Sequence, residues 1–160
     1  MSEAEYNECV TSLADNIYRF AVKHLRNEED ARDIVQTSFE RLWVNRSSVN
    51  ILTSKSYLFT ITYHLLIDHV RKHKRIDLKD SFDETAYVTY PQNNGKKAIE
   101  MAFEQLNDLQ KSLVLLKDYE GYSYEEIGKI TGLNSSQVKV YLHRARTRLK
   151  EFIVRPENVI

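Results

Sequence analysis

The sequence predicts an all-α chain of two small helical domains joined by a flexible linker, with a helix-turn-helix in the C-terminal one. Three observations predict it. Gly (4) and Pro (2) are scarce among 160 residues of which 29% are charged, a balance suited to helices. Apolar residues recur at spacings of three and four along most of the chain. That period lapses between Ile76 and Lys97, and a structureless stretch of that length is unusual inside one compact domain.

The elements follow in order. From Tyr6 to Leu25, Val10, Leu13, Ile17 and Phe20 mark one face of a first helix. Asn27 is a candidate N-cap for a second, with Glu28, Glu29 and Asp30 in the first turn, where the helix dipole favours anions. That helix turns Ala31, Ile34, Val35, Phe39, Leu42 and Trp43 inward and fades in the polar loop NRSSVN. A third helix starts near Ser54 and runs to about Arg75. Its first half is apolar on several sides (Leu58, Phe59, Ile61, Leu65, Leu66, Ile67), as expected of a helix packed between others. Its last turn, RKHKR, is basic, and Asp68 is expected to pair with Arg71 or Lys72 one turn on. Pro91 and Gly95 fall in the patternless stretch at 76–97, read as the linker.

Past the linker, a helix opens at Ala98 to Leu106. Another follows from about Asp108 to Tyr119, with Leu109, Leu113, Val114 and Leu116 facing in and Gly121 ending it. SYEE at 123–126 is a capping box, in which the Ser hydroxyl and the Glu side chain satisfy each other's amides. The short helix it starts buries Ile127 and Ile130 and stops at Gly132, suited to a left-handed C-cap. Asn134 caps the next helix, with Gln137 at the reciprocal position. Val138, Leu142, Ala145, Leu149 and Phe152 then form one buried stripe. Short helix, tight glycine turn, longer helix: the order is that of a helix-turn-helix.

The charge pattern points the same way. Lys+Arg (23) and Asp+Glu (23) cancel, yet the last helix carries Lys139, His143, Arg144, Arg146, Arg148 and Lys150 with no acid before Glu151. Segregated charge of this kind creates a local field for nucleic acid. A solvated face is the plainer alternative, but the run lacks the acids that would form i,i+4 pairs. On a recognition helix, Ser135, Ser136, Lys139, Val140, His143 and Arg144 stand toward base edges and Arg146 toward phosphate.

Other chemistry is poorly supported. Cys9 is the single cysteine, which excludes an internal disulfide. The acidic N-terminus lacks the order of a secretory signal, and no apolar run approaches the roughly 20 residues that span a bilayer, so a cytoplasmic protein without membrane contact is expected. Neither a phosphate-cradling glycine loop nor a nucleophile elbow is present, so no enzyme activity, catalytic residue or cofactor is expected. His64, His69 and His73 lie close in sequence, and His69 and His73 share a helix face. The glutamate of HExxH is missing, however, and no third ligand is placed, so no metal site is expected.

The stretch LNDLQKSLVLLKDYEGYSYEEIGKITGLNSSQVKVYLHRARTRL resembles the C-terminal DNA-binding region of the extracytoplasmic-function sigma factors of bacterial RNA polymerase, group IV of the sigma-70 superfamily. DARDIVQTSFERLW resembles the polymerase-binding helix of that family, and SYLFTITYHLLIDHVRKHKR the helix that melts and reads the downstream promoter element. The resemblance implies a region 2-like domain at 1–75, a linker at 76–97 and a region 4-like domain at 98–155. It implies that Asp33, Gln36, Phe39, Glu40 and Trp43 face the clamp helices of the polymerase largest subunit, with part of that apolar stripe serving as core. Lys55, Tyr57, Thr60, Tyr63, His64, Arg71, Lys72, Lys74 and Arg75 would meet the downstream element. Exposed bases there stack on aromatic rings at roughly 1–3 kcal/mol each. NRSSVNILTS matches the loop that pockets a flipped base.

Further implied partners are the polymerase flap for the C-terminal domain, promoter DNA and an anti-sigma factor. Three positions depart from the family pattern: His64 where Asn is frequent, Gly128 where Ala is usual, and Val140 where Ser is frequent. Gly128 would cost about 1 kcal/mol of helix propensity, and Val140 offers an apolar surface to a thymine methyl. The rival reading is a stand-alone helix-turn-helix regulator with a helical N-terminal sensor or dimerisation domain, which would bind a palindromic operator as a dimer.

Overall fold

The computed structural model describes residues 1–79 and 94–154, and among them there is no strand. The helices are α1 (Glu3–Leu25), α2 (Glu28–Val44), α3 (Ser54–Lys79), α4 (Asn94–Glu104), α5 (Asp108–Val114), α6 (Tyr124–Thr131) and α7 (Ser135–Val154). The all-α expectation holds, and the order of elements is the expected one.

Local chemistry explains where the helices begin. Ser2 and Glu5 close a capping box on α1 and Asn27 accepts from the Asp30 amide to start α2. Asn107 with Gln110 and Ser123 with Glu126 do the same for α5 and α6, and each box satisfies amides that a helix start leaves unpaired. α3 runs on to Lys79 and α4 starts at Asn94, so helix occupies both ends of the patternless stretch. Gly95 is tolerated in the first turn of α4, where backbone amides have no intrahelical partner in any case. The centre of the expected linker, 80–93, lies outside the described residues. The loop at 45–53 is not irregular: it forms two 3₁₀ turns, Arg46–Ser48 and Ile51–Thr53. Past Val114 the helix widens into a π-helical turn, Leu115–Tyr119, in which the Glu120 amide donates to the Leu115 carbonyl at 3.0 Å.

α1, α2 and α3 form one three-helix group and α4 to α7 another. Within the first, Ala31, Ile34, Leu42, Ile17, Phe20, Leu58 and Leu66 are buried. α2 and α3 approach closely because small polar residues meet between them: Thr62 donates to Ser38 Oγ at 2.9 Å, and Ser38 donates to the Ile34 carbonyl at 2.7 Å. Cys9 is buried in the core, its thiol 3.2 Å from Ser54 Oγ.

The two groups are not held by the tether alone. One hydrophobic core runs through both. Its spine is a chain of edge-to-face rings, Phe20 to Phe59 at 5.5 Å and Phe59 to Tyr122 at 5.4 Å. Such pairs contribute about 0.5–1.5 kcal/mol beyond their buried area. Polar contacts flank the spine. Arg19 meets Glu120 at 2.9 Å, with the Glu120 side chain only 2% exposed, and Asn16 donates to the same carboxylate at 3.1 Å. The several-sided apolar surface of α3 thus has its explanation: α1 and α2 cover part of it, and α5 and α6 the rest.

Candidate nucleic-acid interface

α6 and α7 cross at a turn built on two glycine constraints. Gly132 ends α6 with φ +82°, in the left-handed region. Gly128 lies under the turn: a Cβ there would stand 2.5 Å from the Leu133 carbonyl oxygen. The departure from alanine at this position is therefore required by close backbone approach, which corrects the reading of Gly128 as a simple propensity cost. Asn134 and Gln137 complete the reciprocal cap that begins α7, at 2.8 and 3.0 Å.

α7 buries Val138, Leu142 and Ala145, with Leu149 partly buried beside them. That leaves Ser136, Lys139, Val140, His143 and Arg144 exposed and Ser135 half-buried. Two tyrosines outside the expected set shape this row. The Lys139 ammonium lies 5.4 Å from the Tyr124 ring centroid, and the Arg144 guanidinium 5.8 Å from that of Tyr141. Rings within about 6 Å attract such cations, so the two side chains carry some preferred direction before any ligand arrives. A tyrosine within the basic helix, Tyr141, and another at the start of the helix before it, Tyr124, are the signal that could have found them. Arg146 differs from its neighbours: its guanidinium is committed to Asp118 of the π-helical turn.

The expected downstream set on α3 divides. His64, Arg71 and Lys72 are exposed. Lys74 is exposed but ion-paired to Asp108 of α5 at 2.9 Å. Thr60 donates to the Ser56 carbonyl at 2.7 Å, and Tyr57 packs at the edge of the core. Two placements correct expectation. Tyr63 is only 8% exposed, and burial raises the pKa of its hydroxyl against the lowering effect of Arg71. Lys55 is half-buried, with its ammonium 5.1 Å from the Tyr122 ring centroid. The Arg75 side chain lies outside the described ones. Asp68 makes no ion pair with Arg71 or Lys72; the carboxylate near this turn is Asp30, whose Oδ2 is 3.3 Å from His69 Nε2.

On α2, Asp33, Gln36 and Glu40 are exposed, and Gln36 donates to Glu40 at 3.2 Å. The aromatic pair separates cleanly. Phe39 is core at 7% exposure, while Trp43 stands at the surface at 36%. Trp43 is held edge-on by Tyr6 at 4.9 Å and covered on one face by the Arg46 guanidinium at 3.7 Å. Burial, with Glu40 nearby, raises the pKa of Tyr6, whose hydroxyl donates to the Phe39 carbonyl. Beyond it, Val44 and Leu52 project apolar surface from the end of α2 and the loop, Leu52 at 88% exposure.

Residues 9–76 match the family model for sigma-70 region 2, and residues 96–149 that for sigma-70 region 4. RNA polymerase sigma factor SigV of Bacillus subtilis is 33% identical over 141 residues, spanning 86% of this chain and 84% of that protein. The chain belongs to the ECF sigma factors.

Other ECF sigma factors are similar along nearly the whole length. SigM of Bacillus subtilis is 25% identical over 158 residues, 95% of this chain and 97% of its own. In fold, this sigma factor is similar to RpoE of Bartonella quintana, solved in complex with the anti-sigma factor NepR. The TM-score is 0.77 with 24% identity, over 92% of this chain and 96% of that one. It is also similar to CnrH, solved with the cytosolic domain of CnrY, with a TM-score of 0.71 and 18% identity over 95% and 89% of the two chains. No helix among the described residues is long and apolar enough to cross a membrane.

Proposed function

We propose that this ECF sigma factor directs RNA polymerase core to its promoters through three separate surfaces. The exposed row of α7, Ser136, Lys139, Val140, His143 and Arg144, reads the upstream element from the major groove. The basic end of α3 with His64 meets the downstream strand. Asp33, Gln36, Glu40 and Trp43 on α2 dock on the polymerase. The observation that carries the reading is the acid-free, outward-facing row on the second helix of a helix-turn-helix, with Lys139 and Arg144 set over tyrosine rings. Side chains at such positions reach base edges, and flanking cations meet phosphate.

The α2 surface suits a different partner. An acidic and aromatic helix face, with Trp43 raised between Tyr6 and Arg46, fits a basic helical groove rather than DNA. Leu52 and Val44 supply apolar surface where the loop would pocket a base extruded from the stack. Lys55 lies against the Tyr122 ring, ahead of α6, so its use on the downstream strand requires its ammonium to leave that ring. In this reading residues 1–75 and 98–155 work as separate modules about the intervening linker. The protein acts by binding, not catalysis, in the cytoplasm where polymerase works, and an anti-sigma factor is its natural inhibitor.

Run-off transcription with purified core enzyme tests the division. Lys139→Ala and Arg144→Ala are expected to lose upstream-element recognition by about 1–3 kcal/mol and keep polymerase binding. Asp33→Ala with Gln36→Ala is expected to do the reverse. Equal loss of both activities in either variant overturns the assignment, and failure to bind core polymerase overturns the function.

A further inference from the structure

The end of α3 holds a side-chain cluster, Asp30, His69 and His73, that none of the three surfaces described above includes. His69 and His73, one turn apart, stack with ring centroids 4.0 Å apart and planes 29° from parallel. Asp30, in the first turn of α2, faces them. One donor atom from each of Asp30, His69 and His73 lies within 4.8 Å of the others. The third donor that the sequence did not place thus comes from the neighbouring helix.

Three features fit a metal ion. Asp30 Oδ2 and His69 Nε2 are 3.3 Å apart, close to the separation of two ligands on a tetrahedral zinc ion with bonds of about 2.0–2.1 Å. His73 Nδ1 lies 3.1 Å from the His69 carbonyl oxygen. A carbonyl only accepts, so Nδ1 carries the proton and Nε2 keeps its lone pair. Metal-binding histidines are oriented in this way, by donating the other ring N–H to a carbonyl or carboxylate. Burial is graded as well: Asp30 and His69 are partly buried and His73 is exposed, which leaves a fourth position open to water on the His73 side. Arg71 and Lys72 oppose a cation, but both are exposed, where water and salt screen them. Lys74 is engaged by Asp108.

We propose that Asp30, His69 and His73 form a binding site for a divalent transition metal of the zinc class, which staples α2 to the basic end of α3. Two imidazoles and a carboxylate suit zinc, cobalt or nickel rather than magnesium or calcium. The ion sits between Asp30 Oδ2 and His69 Nε2, and water fills the fourth position. The site stands on its own geometry, whether or not α2 and α3 have the roles given above.

Titrating zinc alone into the full chain against a chromophoric chelator tests this, with cobalt as the spectroscopic probe. One equivalent is expected to bind, and cobalt to give the intense visible bands of a tetrahedral site. Asp30→Asn, His69→Gln and His73→Gln are each expected to weaken binding about tenfold or more, while His64→Gln and Cys9→Ser leave it unchanged. His73 is exposed, so that variant reports on the site without a question of folding. Less than about a twofold loss in all three ligand variants, or loss in His64→Gln or Cys9→Ser, overturns the proposal.

Discussion

His24 offers the sharpest test of how the two helix groups are joined. It lies on α1, is buried, and points into α5, with Nε2 2.9 Å from Ser112 Oγ and 3.2 Å from the Asp108 carbonyl oxygen. Because that carbonyl only accepts, Nε2 carries the proton, and the buried Nδ1 has no hydrogen-bond partner. Protonating Nδ1 would place a charged, unpaired N–H in the core. Burial is the main cause that lowers the pKa to about 4; the Asp108 carboxylate opposes it and Lys111 adds to it. The unfolded chain takes up this proton below its ordinary value of 6.5, whereas the folded chain resists until about 4. Stability therefore falls as pH drops through that window, with a slope approaching 1.36 kcal/mol per unit and a total on the order of 3 kcal/mol. That is a large share of the roughly 5–15 kcal/mol that holds a typical domain. Urea unfolding at stepped pH, for the native chain and for His24→Gln, isolates the effect by subtraction. The native chain should lose stability relative to the variant between about pH 6.5 and pH 4. A flat difference across that range would refute the assigned tautomer and the buried neutral state.

Three further outcomes are expected. Gly128→Ala gains about 1 kcal/mol of helix propensity but drives a methyl to 2.5 Å from the Leu133 carbonyl oxygen. Overpacking of this kind costs about 1–3 kcal/mol, so thermal unfolding should show no gain, and promoter affinity should fall as the turn shifts; a stabilised variant with native affinity would show that the turn yields freely. Tyr122→Phe removes a buried hydroxyl that lacks a partner and keeps the ring on Phe59, so chemical denaturation should find it neutral or more stable; a loss above about 1 kcal/mol would mean that the hydroxyl is satisfied in solution. Asp118→Asn releases Arg146 from its ion pair. The exposed pair contributes at most about 1 kcal/mol to stability, while a freed guanidinium should steepen the salt dependence of DNA binding by about one counterion, measured by anisotropy across a salt series; an unchanged slope would exclude Arg146 from the phosphate contacts.

Much of the fold was legible because its signals are local. Asn27, Ser123 and Asn134 announce helix starts through hydrogen bonds to amides three residues on. Gly132 announces a stop through a backbone angle that other residues avoid. The stripe from Val138 to Leu149 needs only the helical period. The candidate DNA row was legible as the complement of that stripe, since whatever the buried face leaves over must face outward.

The sequence by itself thus determined an all-α chain, a helix-turn-helix and the charge it presents. Tertiary structure decided which of two neighbouring aromatics is core, Phe39 rather than Trp43, and that Tyr63 is turned in. It decided that Phe59 meets Tyr122 across the two groups, that His24 is trapped against α5 and that Asp30 reaches His69. Gly128 is glycine because a carbonyl five residues later folds back over it. The physical reason is the same each time. Helical periodicity fixes a face to within a residue or so, but partners brought together from distant helices leave no periodic trace in the chain. A helix that is apolar on several sides declares that it will be surrounded, and only packing decides by what.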